Sequence, residues 1–171
     1  VGEIGRLMTT RNFIVTDAGG QRIAAASTLW AMIDVKTRQP LDLRDNVDYS
    51  RALLAIPCPI DKPAKIGRIE GVPCDSRRVR YSDIDFNQHT NSMKYIQWML
   101  DALPLEKLTG CRMKRLDVNF VHETRYGQQL VVCCEYGTDR DRFEIRFEDG
   151  TAACKAAIRW ETSDERSNQT A

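Results

Sequence analysis

The stretch from residue 79 to residue 103 constrains the fold of this chain more than any other part of the sequence. It opens as a strand, predicted over residues 79–82, and becomes a helix that starts at Thr90 or Asn91 and ends before Pro104. At about 100° per residue, the polar side chains of this helix share one narrow stripe, and apolar side chains cover the rest of its circumference. A helix that is apolar nearly all round is buried, so we expect it to be enclosed by the strands around it.

The polar segment between the strand and the helix is the first candidate for a functional site. Its polar residues are Asp83, Asp85, Asn87, Gln88, His89, Thr90 and Asn91. Unpaired backbone N–H groups and the positive end of the helix dipole meet at a helix N-terminus. Because that position favours a developing negative oxygen, the sequence predicts an oxyanion site here.

The composition argues against several classes of protein. Among 171 residues, 25 Lys and Arg balance 24 Asp and Glu, so the net charge of +1 gives no indication of nucleic-acid binding. No apolar run approaches the roughly 20 residues that span a bilayer. With two histidines, no ligand-spaced cluster and no glycine-rich phosphate loop, we expect neither a metal nor a cofactor.

The cysteines lack CxxC spacing, and three of the six lie in apolar, strand-like runs. We therefore expect most of them to be buried free thiols in a reducing compartment, rather than disulfides or metal ligands. The six are Cys58, Cys74, Cys111, Cys133, Cys134 and Cys154.

Two hairpin-like segments match each other without a gap at an offset of 130 residues. The matching pairs are Phe13 with Phe143, Gly20 with Gly150, Ala26 with Ala156 and Trp30 with Trp160. We interpret them as a duplicated fold, with two unrelated hairpins as the alternative. The offset places the counterpart of the buried helix before Val1, so we expect a preceding N-terminal segment that includes a first buried helix.

Five of the six prolines lie within residues 38–73, which predicts an extended connector containing at most a short helical turn at residues 48–55. The predicted organisation has four parts: an incomplete N-terminal unit at 1–37, the connector at 38–71, a complete unit at 72–162 and a loose tail at 163–171.

Four strands are predicted after the helix, at residues 113–122, 130–136, 142–147 and 152–161. In the third, Phe143, Ile145 and Phe147 alternate with charged residues, which is typical of an antiparallel sheet with one solvated face. One buried helix wrapped by such a sheet is the hot-dog arrangement. The predicted fold class is therefore α+β, a tandem hot-dog whose first copy is incomplete in this chain.

The segment Y-S-D-I-D-F-N-Q-H-T-N-S-M-K-Y-I-Q-W, which starts at Tyr81, resembles the D-x-N-Q-H-x-N-N-x-K-Y-x-x-W signature of plant and bacterial acyl-ACP thioesterases, which are tandem hot-dog proteins. The segments V-K-T-R-Q-P, from Val35, and E-T-R-Y-G, from Glu123, are similar to the same family. The broader pattern Y-x-D-x-D-x-x-x-H is shared with hot-dog thioesterases that act on acyl-CoA, so it supports the fold more than the carrier.

The resemblance implies hydrolysis of fatty acyl-ACP to a free fatty acid and the carrier thiol. It places Asp85, Asn87, His89 and Glu123 at the family's catalytic positions. Some members carry a cysteine after the glutamate, whereas this chain has Thr124. That departure argues against a covalent cysteine mechanism and favours an activated water.

In this hypothesis Glu123 and His89 activate the water, and Asn87 and the helix N-terminus hold the carbonyl oxygen or the water. Asp85 orients Asn87 or His89, or is itself the base. Each assignment has a structural alternative: Asp85 and Asn87 as turn formers, His89 as a structural histidine and Glu123 as a solvated carboxylate. We expect His122, on the opposite face of the strand from Glu123, to be structural.

The partner implied is an acyl carrier protein. Two basic clusters are candidates to contact it, with an ordinary solvated surface as the alternative: Arg77, Arg78 and Arg80, and Arg112, Lys114 and Arg115. An acyl-CoA thioesterase and a non-catalytic acyl sensor are the competing functions. A homodimer is compatible with the fold, and the expected location is the bacterial cytoplasm, or a plastid if a transit peptide precedes Val1.

Overall fold

The structure is a computed structural model that describes residues 3–46, 48 and 57–161. The chain divides into two compact units, residues 1–63 and residues 64–171. The predicted helical turn at 48–55 falls almost wholly outside the described residues, and the predicted tail at 163–171 falls wholly outside them. None of the described helices is long and apolar enough to cross a membrane.

The first unit contains an antiparallel sheet in the order β1-β2-β3, where β1 is Glu3–Ile4, β2 is Met8–Thr16 and β3 is Arg22–Ala31. Strands β2 and β3 form the predicted hairpin. A single helical turn, α1 (Leu43–Asn46), follows it, and Leu43 is buried.

The hairpins of the two units share one register, which supports the interpretation as a duplicated fold. Phe13 lies opposite Ala26, and Phe143 lies opposite Ala156 at the same offset of 130. The turn glycines adopt the same left-handed conformation, with φ of 82° at Gly20 and 83° at Gly150, which costs glycine less than other residues.

The second unit is built on a five-stranded antiparallel sheet in the order β4-β6-β7-β8-β5. The strands are β4 (Val72–Arg78), β5 (Met113–Phe120), β6 (Gln129–Glu135), β7 (Arg140–Phe147) and β8 (Ala152–Trp160). The four strands predicted after the helix are therefore confirmed to within two residues at each end.

The strand predicted at residues 79–82 is wrong. Strand β4 ends at Arg78, and residues Tyr81–Asp83 form a 3-10 turn. The cause is the buried carboxylate of Asp83, which accepts a hydrogen bond from the Arg80 amide at 2.8 Å and so pulls the backbone into a turn.

Helix α2 spans Ser92–Asp101 and is capped by Asn91, whose side-chain oxygen accepts a hydrogen bond from the Met93 amide at 2.9 Å. Its buried residues Tyr95, Trp98 and Met99 pack in one core with the apolar side chains of β6, β7 and β8. The prediction that the helix is buried on all sides is wrong. Helix α2 packs one face against the sheet and leaves Met93 63% exposed. A helix absent from the predictions, α3 (Leu105–Gly110), begins after Pro104.

Residues 64–70 cross the outer face of the second sheet, and we call this segment the strap. Its backbone is held by side chains from four strands: Asn119 of β5, Lys155 of β8, Glu144 and Arg146 of β7, and Glu135 of β6. Glu144, predicted on a solvated face, is consequently only 3% exposed. The predicted alternation is present, but the prediction of a solvated face is wrong here because the strap covers it.

The expectation that most of the cysteines are buried free thiols is wrong: two of the six form a disulfide, Cys58 is exposed and Cys111 is only half-buried. Cys74 of β4 and Cys134 of β6 form a disulfide with a Cα–Cα distance of 6.1 Å. The two residues lie 60 positions apart and are brought together only by the pairing of β4 with β6. Cys133 and Cys154 are buried free thiols as predicted, and burial raises the pKa of Cys154 to about 12.

Candidate active site

The loop from Ile84 to Thr90 is shaped by the Asp85 side chain. One oxygen of that carboxylate accepts hydrogen bonds from the Asn87 amide at 2.8 Å and the His89 amide at 3.4 Å. The Asp85 amide in turn donates to the His89 carbonyl at 2.9 Å, which closes the loop. Within it, Gln88 has a φ of 62°, an uncommon conformation for a residue other than glycine. Asp85 thus serves as a turn former that positions Asn87 and His89.

The structure brings His89 and Glu123 together, although 34 residues separate them in the sequence. His89 Nε2 lies 3.2 Å from Glu123 Oε2, and the two side chains are 21% and 47% exposed. His89 follows the Asp85 loop, whereas Glu123 lies just beyond the end of β5. A carboxylate that accepts the Nε2 proton fixes the imidazole tautomer, so Nδ1 is left as a proton acceptor.

A buried hydroxyl cluster, formed by Thr90, Tyr95 and Thr124, holds the two segments in place. Thr124 Oγ1 donates to Thr90 Oγ1 at 2.6 Å, and the Tyr95 hydroxyl lies 2.8 Å from Thr124 Oγ1. The Thr90 amide donates to the Thr124 carbonyl at 2.9 Å. Since Thr90 follows His89 and Thr124 follows Glu123, this cluster joins the two segments directly beside the two candidate catalytic side chains.

Each member of the hydroxyl cluster is at most 6% exposed, and Thr124 is completely buried. Burial raises the pKa of Tyr95, although its hydrogen bonds with Thr124 act in the opposite direction. With its hydroxyl engaged by Thr90 and Tyr95, Thr124 is not available to attack a substrate. The geometry therefore argues against Thr124 as a nucleophile.

Asn87 and His89 both line a cavity of about 360 Å³, the size of a small-molecule site. Among the described residues, the cavity is lined by Tyr81, Ile84, Asn87, Gln88, His89, Arg125 and Tyr126. Asp85 and Glu123 do not line the cavity. Each instead contacts residues that do: Asp85 bonds to the amides of Asn87 and His89, and Glu123 contacts the His89 ring. Sequence reasoning missed Tyr81, Arg125 and Tyr126 as site residues, although the E-T-R-Y-G segment contains two of them.

The helix N-terminus is a weaker oxyanion donor than expected. The Met93 amide donates to the Asn91 side chain at 2.9 Å, and the Lys94 amide donates to the Asn91 carbonyl at the same distance. No residue of α2 lines the cavity. The side-chain amide of Asn87 is therefore the better candidate donor to a substrate oxygen.

His122 is hydrogen-bonded to the backbone and not to a side chain of the candidate site: its Nδ1 lies 2.9 Å from the Ala152 carbonyl oxygen. The two histidines thus differ in their contacts. His89 contacts a carboxylate and a cavity, whereas His122 contacts a backbone carbonyl at the start of β8.

Both units of the chain match models of known protein families. Residues 70–162 match the family described as the acyl-ACP thioesterase C-terminal domain, and residues 2–49 match the acyl-ACP thioesterase N-terminal domain. The chain is similar to the chloroplastic acyl-(acyl-carrier-protein) hydrolase FATB1 of Cuphea viscosissima, with 26% identity over 96% of this chain and 42% of that protein. The chain thus spans about two-fifths of the length of the curated relatives that it matches.

Solved structures agree on the architecture. A crystal structure of an acyl-ACP thioesterase from Bacteroides thetaiotaomicron superposes with a TM-score of 0.86 and 32% identity, over 94% of this chain and 65% of that one. The 12:0-ACP thioesterase of Umbellularia californica superposes with a TM-score of 0.76 over 94% of this chain and 63% of that one, and at 19% identity it supports the fold alone. The predicted tandem hot-dog fold is confirmed by these superpositions. The chain belongs to the acyl-ACP thioesterase family.

Proposed function

We propose that this protein hydrolyses fatty acyl thioesters carried on acyl carrier protein, releasing a free fatty acid and the carrier thiol. The observation that carries the proposal is the 3.2 Å contact between His89 and Glu123, next to a cavity that His89 lines. Membership of the acyl-ACP thioesterase family supports the same reaction. The homodimer and the bacterial cytoplasmic location stay predictions.

In the proposed mechanism, Glu123 accepts the Nε2 proton of His89 as a hydrogen bond, and His89 Nδ1 removes a proton from a water molecule. The resulting hydroxide attacks the thioester carbonyl. Asn87 donates a hydrogen bond to the negative oxygen of the tetrahedral intermediate. That intermediate collapses with cleavage of the carbon–sulfur bond, and the thiolate takes the proton from the His89 imidazolium.

The test is hydrolysis of acyl-ACP by wild type and by His89→Ala, Glu123→Gln and Asn87→Ala. General-base catalysis is worth roughly 10²–10⁴-fold, so we expect a loss of that order for His89→Ala. We expect a loss of about 10²-fold for Asn87→Ala, as for other oxyanion donors. His122→Ala is the matched control and should retain activity, because its imidazole bonds to the Ala152 carbonyl instead.

Wild-type rates in well-folded His89 and Glu123 variants would remove this mechanism. The two competing functions are decided by the same assay. An acyl-CoA thioesterase would hydrolyse the same acyl chain faster on coenzyme A than on the carrier protein. A sensor would bind the acyl group and hydrolyse neither substrate.

A further inference from the structure

The disulfide of the second unit joins an exposed residue to a buried one. Cys74 lies on β4, at the edge of the sheet, and is exposed. Cys134 of β6 is 2% exposed and packs in the core. The other four cysteines are free, so this chain is not built on a framework of disulfides. An exposed disulfide is more readily reduced than a buried structural one, because a thiolate must reach one of its sulfur atoms.

The backbone pairing between β4 and β6 is interrupted at the disulfide. The register shifts between Pro73 and Asp75, so Cys74 has no partner of its own on β6 and is the extra residue of a β-bulge. Pro73 has no amide hydrogen to donate to the ladder. Hydrogen bonding between the two strands is therefore weakened at the start of β4, where the disulfide joins them covalently.

The end of the strap lies against the same part of β6. The Glu70 amide donates to Glu135 Oε1 at 2.7 Å. Gly71 lies so close to β6 that a Cβ atom there would be 2.5 Å from the Cys134 carbonyl oxygen. Because Gly71 and Cys74 are close neighbours in the sequence, opening the disulfide would loosen the start of β4 and the end of the strap together.

Both sulfur atoms also have a suitable place in the reduced protein. Cys74 Sγ lies 3.3 Å from the Val132 carbonyl oxygen, which can accept a hydrogen bond from the Cys74 thiol. The Cys134 thiol would stay in the apolar core, an environment typical of free cysteine. The fold therefore accommodates both redox states.

We propose that this disulfide is a reversible exchange site for a dithiol reductant, and that its reduction loosens the start of β4 and the end of the strap. A thiolate of the reductant forms a bond with Cys74 Sγ, the disulfide breaks, and Cys134 leaves as a thiolate that takes up a proton. The second thiol of the reductant loses its proton, attacks the reductant's sulfur in this mixed disulfide and releases Cys74, which takes up a proton. The protein gains two electrons and two protons, and the reductant becomes a disulfide.

The first experiment uses thioredoxin in which the second active-site cysteine is replaced by serine, so that the mixed disulfide persists. We expect it to become linked to the folded chain at Cys74, located by peptide mapping. Cys58→Ser removes an exposed free thiol and should leave this linkage unchanged. Linkage at Cys134, no linkage, or reduction only after urea has unfolded the chain would overturn the proposal.

Hydrogen exchange measures what reduction does to the fold. In the folded chain treated with dithiothreitol, we expect the Glu70 amide to exchange roughly tenfold faster, because it bonds to β6 beside Cys134. The amide of Ile145, a fully buried residue of β7, should not change. The double variant Cys74→Ser, Cys134→Ser should show the faster exchange without the dithiol and no response to it. Unchanged Glu70 exchange in reduced wild type would overturn the proposal. Neither experiment measures hydrolysis, so a failure of the proposed function would not alter these outcomes.

Discussion

Thr124 is the residue on which the geometry of the candidate site depends most. Its buried hydroxyl bonds to Thr90 and Tyr95, which lie 34 and 29 residues away in the sequence. Thr124→Val keeps the shape and removes the hydroxyl, leaving two buried polar groups without this partner. We expect unfolding free energy to fall by about 1–3 kcal/mol. We also expect kcat to fall more than KM changes, because His89 and Glu123 lose their fixed separation.

Urea denaturation and acyl-ACP kinetics measure the two effects. Thr124→Ser restores the hydroxyl and should recover kcat, whereas Thr138→Val, at an exposed threonine, should change neither quantity. A Thr124→Val variant with wild-type kcat would show that the hydroxyl cluster has no positioning role.

Sequence reasoning singled out His89 and Glu123 because both lie in segments that resemble a known family. It did not find the hydroxyl cluster, since threonine and tyrosine occur throughout the chain and nothing local marks the three that meet. Arg125 and Tyr126 were missed for a related reason. Their segment resembles a family motif, but the motif does not show that they lie beside a cavity, because that position depends on the turn at Gly127.

The strap is an element whose stability should depend on pH. Glu144 accepts hydrogen bonds from the Ile69 amide at 3.2 Å and from Arg146 Nε at 2.8 Å. Burial alone would raise the pKa of Glu144, but these hydrogen bonds and the nearby charges of Arg146 and Lys155 lower it below 4.5. A carboxylate with a lowered pKa stabilises the fold above its unfolded pKa, and this stabilisation is lost as pH falls through the folded pKa.

At pH 7 we therefore expect Glu144→Gln to lower the unfolding free energy by about 1–3 kcal/mol. The difference from wild type should shrink as pH falls below 4.5. Urea denaturation at neutral and acidic pH measures it, and faster hydrogen exchange of the Ile69 amide would locate the effect in the strap. Glu148→Gln, at an exposed glutamate just after β7, is the control. A loss that is equal at both pH values would contradict this account.

Elements with a strong periodic pattern were predictable, and elements set by distant contacts were not. The alternation in β7 and β8 correctly predicted both strands and the side chains that face the core. In contrast, the turn at Tyr81–Asp83 depends on the buried Asp83 carboxylate, and the position of the strap depends on side chains from four strands. The position of the strap is absent from local sequence. The hydrogen bond from the Arg80 amide to Asp83 is local, but the pattern at residues 79–82 still predicts a strand, because the burial of Asp83 depends on the fold.

At the scale of the whole molecule, the nearly balanced charge makes the position of basic residues more informative than their number. The two basic clusters differ in their distance from the site. Arg78 and Arg80 flank Val79, which pairs with the turn that follows Arg125. Arg112 and Lys114 lie at the start of β5, whereas Glu123 follows its end, and the strand between them is about 23 Å long at about 3.3 Å per residue. Arg115 is engaged with Asp117 at 2.8 Å.

An acidic carrier protein that delivers its acyl thioester to the cavity would therefore dock on Arg78 and Arg80. We expect the double variant Arg78→Glu, Arg80→Glu to raise KM for acyl-ACP by roughly tenfold at low salt, and by less at high salt, because exposed charges are screened. KM for the N-acetylcysteamine thioester should not change, since that substrate has no carrier. Arg112→Glu, Lys114→Glu makes the same change in charge at the far end of β5 and should have the smaller effect on KM. If that control raises KM for acyl-ACP as much as the first variant does, the carrier contacts a surface other than the one beside the cavity.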